Sequence, residues 1–219
     1  MLSDCAVVKL WLYGLILVWL GVLSVIDLRE RAIPHWGSTV PLIAMGLFRV
    51  VYPPAPAGKA AWLAGSAILL LLVVVVTSDE IPVFLSFSVT ALVLGLQTGT
   101  LAVPLLIGFW VLALLWANWG IWGSGDAKVA MILVAIWPDI TLVAALLLAQ
   151  LVGGVIVSWR RHGQALPAVI LNVLGEFRKG NVPARQSPAQ AASWTYNAGV
   201  PWLTLGTAMY MVRDLWLIL

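Results

Sequence analysis

Two aspartates in this chain stand where a pair of carboxylates could do chemistry. Asp27 follows an apolar run from Leu10 to Ile26, and Asp126 lies in the hexapeptide Gly-Ser-Gly-Asp-Ala-Lys at 123–128. When two carboxylates share a site, the pKa of one rises because both cannot readily ionise together. One can then act as a base toward water while the other acts as an acid toward a carbonyl oxygen, as in aspartic proteases. The residue types therefore predict hydrolysis by acid–base catalysis.

The glycines beside Asp126 favour its close approach to another element. Gly123 and Gly125 have no Cβ atom, so the backbone at these positions can come near a neighbouring helix. We therefore expect this segment to bring Asp126 within reach of Asp27.

Each aspartate also has a structural interpretation. Asp27 can cap or terminate its helix with Arg29 or Arg31 as partner, and Asp126 can be a helix N-cap, a common position for Asp. A functional alternative of another class places both acids in the proton or cation path of a transporter or channel subunit. Depth separates the two classes, because transport acids usually lie near the bilayer midplane, whereas these two stand at the ends of apolar runs.

The composition is that of an integral membrane protein. Of the 219 residues, 62% are hydrophobic and 10% are charged, and the mean hydropathy is +1.02. Soluble domains are about 45–50% apolar and about 25% charged. We expect one membrane domain over 1–219 in a lipid bilayer. The net charge of +3 gives no reason to expect a nucleic-acid partner, and a single cysteine, Cys5, excludes an internal disulfide and a paired-cysteine zinc site.

Eight apolar runs predict an all-α polytopic helix bundle with about eight transmembrane helices, since a span needs roughly 17–25 residues. The runs are 10–26, 36–51, 60–76, 81–96, 101–117, 129–137, 140–159 and 199–219. The sixth run is long enough only if its helix begins near Asp126. The fourth and fifth runs are the weakest, and a version with six spans, without these two, stays open.

The basic residues predict the orientation of the bundle. The loops at 27–35, 77–80, 118–128 and 160–197 fall on one side and hold most of the Lys and Arg residues, whereas the opposite loops hold little besides Lys59. The positive-inside rule makes the first side cytoplasmic. Asp27 and Asp126 then lie at the same, cytoplasmic face of the membrane.

Two cytoplasmic segments carry features of their own. Within 160–197, apolar residues recur at helical spacing from Val169 to Phe177, which fits either a short interfacial helix or a loop with a few buried anchors. The acidic pair Asp79-Glu80 is interpreted as a solvated turn.

The two short motifs together resemble those of prepilin peptidases. Asp27 followed by Ile33-Pro34 looks like the first motif of that family, and residues 123–128 look like its second, Gly-x-Gly-Asp-x-Lys. The resemblance implies a membrane aspartyl endopeptidase, without metal or cofactor, in the inner (cytoplasmic) membrane. It would remove the short basic leader from type IV prepilin-like precursors at the cytoplasmic face. The implied catalytic pair is Asp27 and Asp126, and the implied supporting residues are Gly123, Gly125, Lys128 and Pro34.

The chain also departs from the family pattern. His35 stands where the family usually has Asn, either as a substitute hydrogen-bonding group or as an interfacial loop histidine. Residues 196–201 only loosely echo the Pro-Tyr-Gly-like motif expected near the last helix. Lys128 can orient Asp126 or the substrate, or it can extend to lipid phosphates.

Two family comparisons narrow the expected activity. The chain lacks the zinc-cysteine insert that large bacterial members carry for N-methylation, so it resembles the short form, and we expect cleavage without methylation. Presenilin-like proteases share Gly-x-Gly-Asp but pair it with Tyr-Asp, whereas Ile26 precedes Asp27 here.

Overall fold

The chain is all-helical wherever its structure is described. A computed structural model describes residues 2–54, 58–77, 101–118, 122–162 and 199–216, and over these residues it has seven helices and no strand. The helices are α1 (Leu2–Glu30), α2 (Thr39–Val51), α3 (Lys59–Thr77), α4 (Ala102–Asn118), α5 (Ser124–Ile136), α6 (Ile140–His162) and α7 (Val200–Trp216). The predicted all-α class is therefore confirmed for the described part of the chain.

Each of the seven helices corresponds to one predicted apolar run. The predicted sixth helix begins at Ser124, as its length requires, and α6 extends three residues past the predicted end of the seventh run at 159. The fourth run at 81–96, the Asp79-Glu80 turn and residues 163–198, with the possible interfacial helix, lie outside the described residues.

Two of the described helices are long and apolar enough to cross a membrane. They are the segments Val7–Glu30 of α1 and Ile140–Val157 of α6, and most residues of both segments are not buried. Shorter apolar helices cover Thr39–Val51, Ala61–Val73 and Ala102–Ala117. The count of about eight spans stays a prediction.

Local sequence explains where several helices begin and end. α1 ends because Arg31 takes a left-handed backbone conformation with φ 54°, which a helix cannot continue. α5 ends at Ile136 because Trp137 precedes a proline and is held in an extended conformation. α6 begins with Asp139 as its cap, since the Asp139 Oδ1 atom accepts the backbone N–H of Thr141 at 2.8 Å.

The chain divides into two compact units. We call them the terminal unit, Met1–Ala32 with Ala144–Leu219, and the central unit, Ile33–Val143. The prediction of a single domain over 1–219 stays a prediction.

In the terminal unit, α1 runs antiparallel to α7. Ser24 and Thr204 hydroxyls lie 2.9 Å apart, and farther along the pair Lys9 Nζ lies 2.5 Å from Asp214 Oδ2. The hydroxyl of Tyr13 also donates to Asp214. α6 packs closely on α7, since a Cβ atom at Gly206 would lie 2.8 Å from the carbonyl oxygen of Ala145.

In the central unit, α5 is the buried helix. Every residue from Asp126 to Ala135 is buried apart from Lys128, which is partly exposed. α5 packs against both α2 and α4, and the indole N–H of Trp110 in α4 donates to the carbonyl of Met131 at 2.9 Å. α3 packs antiparallel on α2, with Gly46 against Leu72 and Gly65 against Val50.

α2 and α5 run parallel and are joined at both ends. At their first turns, Lys128 Nζ donates to Thr39 Oγ1 at 3.1 Å. At their last turns, the Arg49 guanidinium donates to the carbonyls of Ala135 at 2.6 Å and Ile136 at 3.0 Å. The last carbonyls of a helix have no hydrogen-bond donor within the helix, and Arg49 supplies donors to two of those of α5.

Candidate active site

Asp27 lies in the last turn of α1, fully buried, at the beginning of another helix. Its Oδ2 atom accepts the backbone N–H of Val200, the first residue of α7, at 3.2 Å. The first N–H groups of a helix have no partner within the helix, and they attract anionic groups. Asp27 therefore acts as a cap for α7, a structural role that differs from the predicted cap of its own helix.

The segment that meets Asp27 is itself held by several groups. The carbonyl of Gly199 accepts the side-chain amide of Gln150 in α6 at 3.0 Å. It also accepts the backbone N–H groups of Trp202 and Leu203, both at 3.1 Å. The carbonyl of Val200 accepts the Thr204 hydroxyl at 2.9 Å.

Asp126 is the third residue of α5 and is 3% exposed. The N-cap is Gly123, in an extended conformation, so the interpretation of Asp126 as an N-cap is wrong. A carboxylate in the first helical turn still interacts favourably with the helix dipole. Trp122, the residue before the motif, is buried, and its ring lies 5.0 Å from the ring of Trp116.

Gly125 brings the two sequence motifs into contact. A Cβ atom there would lie 2.8 Å from both Cβ and Cδ1 of Ile33. The expected close approach at the glycine therefore exists, but its partner is the loop that carries Ile33-Pro34 and not a helix.

Lys128 and His35 meet at one hydroxyl group. Thr39 Oγ1 accepts Lys128 Nζ at 3.1 Å and lies 3.2 Å from His35 Nδ1. Pro34 shapes the turn that leads into α2, because its carbonyl accepts the N–H of Gly37 at 3.0 Å and the N–H of Ser38 at 3.2 Å.

The central unit thus brings together most of the residues that the sequence singled out. They are Pro34, His35, Gly123, Gly125, Asp126 and Lys128. Asp27 belongs to the terminal unit, so its pairing with Asp126 stays a prediction. Over the described residues, no group of three or more His, Cys, Asp or Glu side chains could hold a metal ion.

Several polar residues at the site were missed from sequence. Gln150 and Thr204 look like ordinary polar residues in apolar runs, and Thr39 like a helix start. A signal did exist for Gln150, because it is the one amide side chain in the apolar stretch Ile140–Val157. A buried polar group in an apolar segment is costly unless it is hydrogen-bonded, so such a residue points to a partner.

No family model matches this chain, and no curated protein or solved structure matches it. The resemblance to prepilin peptidases therefore depends on the motif residues themselves.

Proposed function

We propose that this protein is a membrane aspartyl endopeptidase of the prepilin peptidase kind, which removes the basic leader from type IV prepilin-like precursors at the cytoplasmic membrane face. One observation carries the proposal. Among the side chains that the structure describes, Asp27 and Asp126 are the only buried carboxylates, with 0% and 3% exposure. Acidic side chains are almost never fully buried without a reason, and these two are the acids of the two motifs.

The proposed reaction uses the two carboxyl groups on one water molecule. One carboxylate takes a proton from water as the water oxygen attacks the scissile carbonyl carbon. The other carboxyl group donates its proton to the carbonyl oxygen. The tetrahedral intermediate then collapses, the C–N bond breaks, and the leaving amine takes the proton that the first carboxyl group received. One hydroxyl group of the intermediate returns its proton to the second carboxylate, so a carboxylic acid product forms and both catalytic groups regain their starting states.

The helix ends favour hydrolysis over transport for these acids. Asp27 lies one turn from the end of α1, and Asp126 lies in the first turn of α5. Acids in an ion path usually lie near the bilayer midplane, often on interrupted helices. The transporter or channel alternative remains an outcome of the test below.

The surface of α1 supports a membrane location. Its exposed residues include Val8, Trp11, Leu15, Val18, Val22 and Val25. No charged residue interrupts the helix between Lys9 and Asp27. Such a continuous apolar face is typical of a helix that contacts lipid.

The directions of the central helices support eight spans. α3 is antiparallel to α2, α4 is antiparallel to α5, and α2 is parallel to α5, so α3 and α4 run in the same direction. A count in which the chain crosses once more between Thr77 and Leu101 agrees with this arrangement. The version with six spans would not count α4 as a span, although α4 packs along the buried helix α5 through Trp110.

Cysteine accessibility tests both the orientation of the protein in the membrane and the number of its spans. In a Cys5→Ser background, single cysteines replace Ser124 and Ser78, which are expected inside, and Tyr52 and Thr98, which are expected outside. A membrane-impermeant thiol reagent should label the second pair on intact cells and the first pair only after lysis. Equal labelling of Ser78→Cys and Thr98→Cys would contradict eight spans, and labelling of Ser124→Cys from outside would reverse the orientation.

Precursor processing tests the catalytic assignment. The chain is co-expressed with a precursor carrying a short basic leader, and the N-terminus of the product is determined. Asp27→Asn and Asp126→Asn should each abolish cleavage, and the double variant should lose little more, because residues that act as a unit give non-additive losses. Asp139→Asn is the matched control, since Asn caps a helix as well as Asp does.

Normal processing by either aspartate variant would refute the dyad. If the same variants instead lost proton or cation flux in proteoliposomes, the transport alternative would replace the peptidase.

The product should carry an unmodified N-terminal residue. The longest polar stretch, 160–197, is under about 40 residues, too short to fold alone without staples and hold a methyl donor. Mass spectrometry of the product would contradict this if it found one added methylene that depended on this protein alone.

A further inference from the structure

One peptide group connects two helices of the terminal unit to Asp27. The peptide bond between Gly199 and Val200 presents its carbonyl to Gln150 of α6, at 3.0 Å, and its N–H to Asp27 of α1, at 3.2 Å. A trans peptide group is planar, with its carbonyl and N–H on opposite edges. Gln150 and Asp27 therefore hold opposite edges of one rigid plane.

The geometry gives Gln150 two ways to act on Asp27. A third donor on the Gly199 carbonyl fixes the tilt of the peptide plane, beyond the two helical bonds from Trp202 and Leu203. Hydrogen bonds in a chain also polarise each other, so a bond to the carbonyl strengthens the N–H as a donor. Both effects act at the Asp27 carboxyl oxygen.

The surroundings of Gln150 make its bond specific. It is partly buried in α6, within the apolar stretch Ile140–Val157. Loss of the bond would leave a polar amide in an apolar helix, a costly arrangement. Gly199 and Val200 are both buried, and Asp27 is fully buried, so bulk water does not replace these contacts.

We propose that Gln150 is a positioning residue for Asp27, acting through the Gly199–Val200 peptide group, and that it sets the orientation from which Asp27 works on water. The catalytic part of this inference rests on the proposed endopeptidase function. The structural part, the coupling of Gln150 to the Asp27 carboxyl group, does not.

The test uses Gln150→Met, which keeps an unbranched side chain of similar length and removes the donor. Gln150→Leu serves if the Met variant does not accumulate. The matched control is Thr207→Val, which removes a buried hydroxyl of α7 whose hydrogen bond goes to the Leu203 carbonyl, away from the Gly199–Val200 peptide group.

The first readout is the infrared carboxyl band of Asp27 in the full chain, assigned by its loss in Asp27→Asn. We expect Gln150→Met to shift this band and Thr207→Val to leave it in place. An unshifted band in Gln150→Met would overturn the coupling, whether or not the protein cleaves any precursor.

The second readout is the kinetics of precursor cleavage. A misplaced catalytic group costs up to about 100-fold in rate, so kcat should fall roughly 10-fold to 100-fold in Gln150→Met with KM unchanged. A shifted band with unchanged kcat would overturn the catalytic role. If wild-type protein cleaves no precursor, the proposed function fails, and the band shift still decides whether Gln150 positions Asp27.

Discussion

The two helix pairs that carry the candidate acids are held together in different ways. The α1–α7 pair is antiparallel, and side chains of both helices meet at several levels, as in Ser24–Thr204 and Lys9–Asp214. The α2–α5 pair is parallel and is joined at its two ends, by Lys128 to Thr39 at the first turns and by Arg49 to backbone carbonyls at the last turns. The first pair depends on side chains matched at several levels, and the second on one cation at each end.

This difference determines which substitutions each pair can tolerate. When one side chain of a contacting pair is substituted, the helix pair loses at most the stabilising free energy of that contact. Arg49, in contrast, provides partners for carbonyls that no substitution in α5 can remove, because the backbone supplies them at any sequence. We therefore expect the α2–α5 pair to be the more sensitive to loss of a single side chain.

Arg49→Leu should have the largest effect. It leaves the Ala135 and Ile136 carbonyls without their donor, and hydrogen bonds to charged groups contribute about 1.5–3 kcal/mol each. The thermal midpoint in detergent should fall well below that of Arg213→Leu, a control in the last turn of α7 whose arginine is exposed. Equal thermal midpoints for the two variants would contradict the greater sensitivity of the α2–α5 pair to the loss of one side chain.

Gly125→Ala should come next. The new methyl group would lie 2.8 Å from Ile33, and overpacking costs typically about 1–3 kcal/mol. The matched control is Gly108→Ala in α4, where no atom lies within 4 Å, so alanine should stabilise that helix by about 1 kcal/mol. Unfolding in a denaturing detergent measures both, and a neutral Gly125→Ala would show that the motif contact is loose.

The ion pair of the terminal unit should contribute less. Lys9 and Asp214 are partly exposed, at 34% and 23% of their side chains, and such pairs contribute up to about 1 kcal/mol. A double-mutant cycle with Lys9→Met and Asp214→Asn should give a coupling energy in that range. A coupling as large as the Arg49→Leu effect would reverse the ranking of the two pairs.

Arg31→Gly should have the smallest effect, and it should be stabilising. Arg31 has φ 54°, a conformation that costs a residue with a side chain roughly 1–2 kcal/mol but that glycine adopts freely. Glycine also loses more backbone entropy on folding, so we expect a net gain under about 1 kcal/mol. Arg29→Gly, inside the last turn of α1, should instead cost about 1 kcal/mol. The thermal midpoint should rise in Arg31→Gly and fall in Arg29→Gly. A lower midpoint in Arg31→Gly would contradict the left-handed conformation at Arg31.

Much of the local structure could be predicted from the sequence. Apolar runs and their breaks located seven helices, and the need for length placed the start of the sixth run near Asp126. The two motif acids are buried, and their catalytic role stays a prediction.

The pairing of helices could not be predicted in this way. In a soluble helix one apolar face marks the buried side, but the helices here are apolar on nearly every face, so composition does not identify the neighbour. The contact of Asp27 with Val200 joins residues far apart in sequence. Arg49 binds carbonyls, which carry no sequence signal at all.

The glycine prediction was right about the close approach at Gly125 and wrong about its partner. Absence of a side chain at Gly125 predicts a close approach but not the partner, which is Ile33 in a loop. The N-cap interpretation of Asp126 failed because Gly123, three residues earlier, already takes the extended conformation that begins the helix.

The shortness of α5 has a consequence for the depth at which Asp126 would lie in a bilayer. A helix of 13 residues is about 20 Å long at about 1.5 Å per residue, whereas the hydrocarbon core is roughly 30 Å thick. Its neighbours bury α5, so lipid cannot thin around it to relieve the hydrophobic mismatch. If α5 is centred in the hydrocarbon core, its first residue lies about 5 Å beneath the nearer lipid interface, and Asp126, two residues on, lies about 8 Å beneath it. Water would then have to enter a recess in the membrane to reach the carboxyl group.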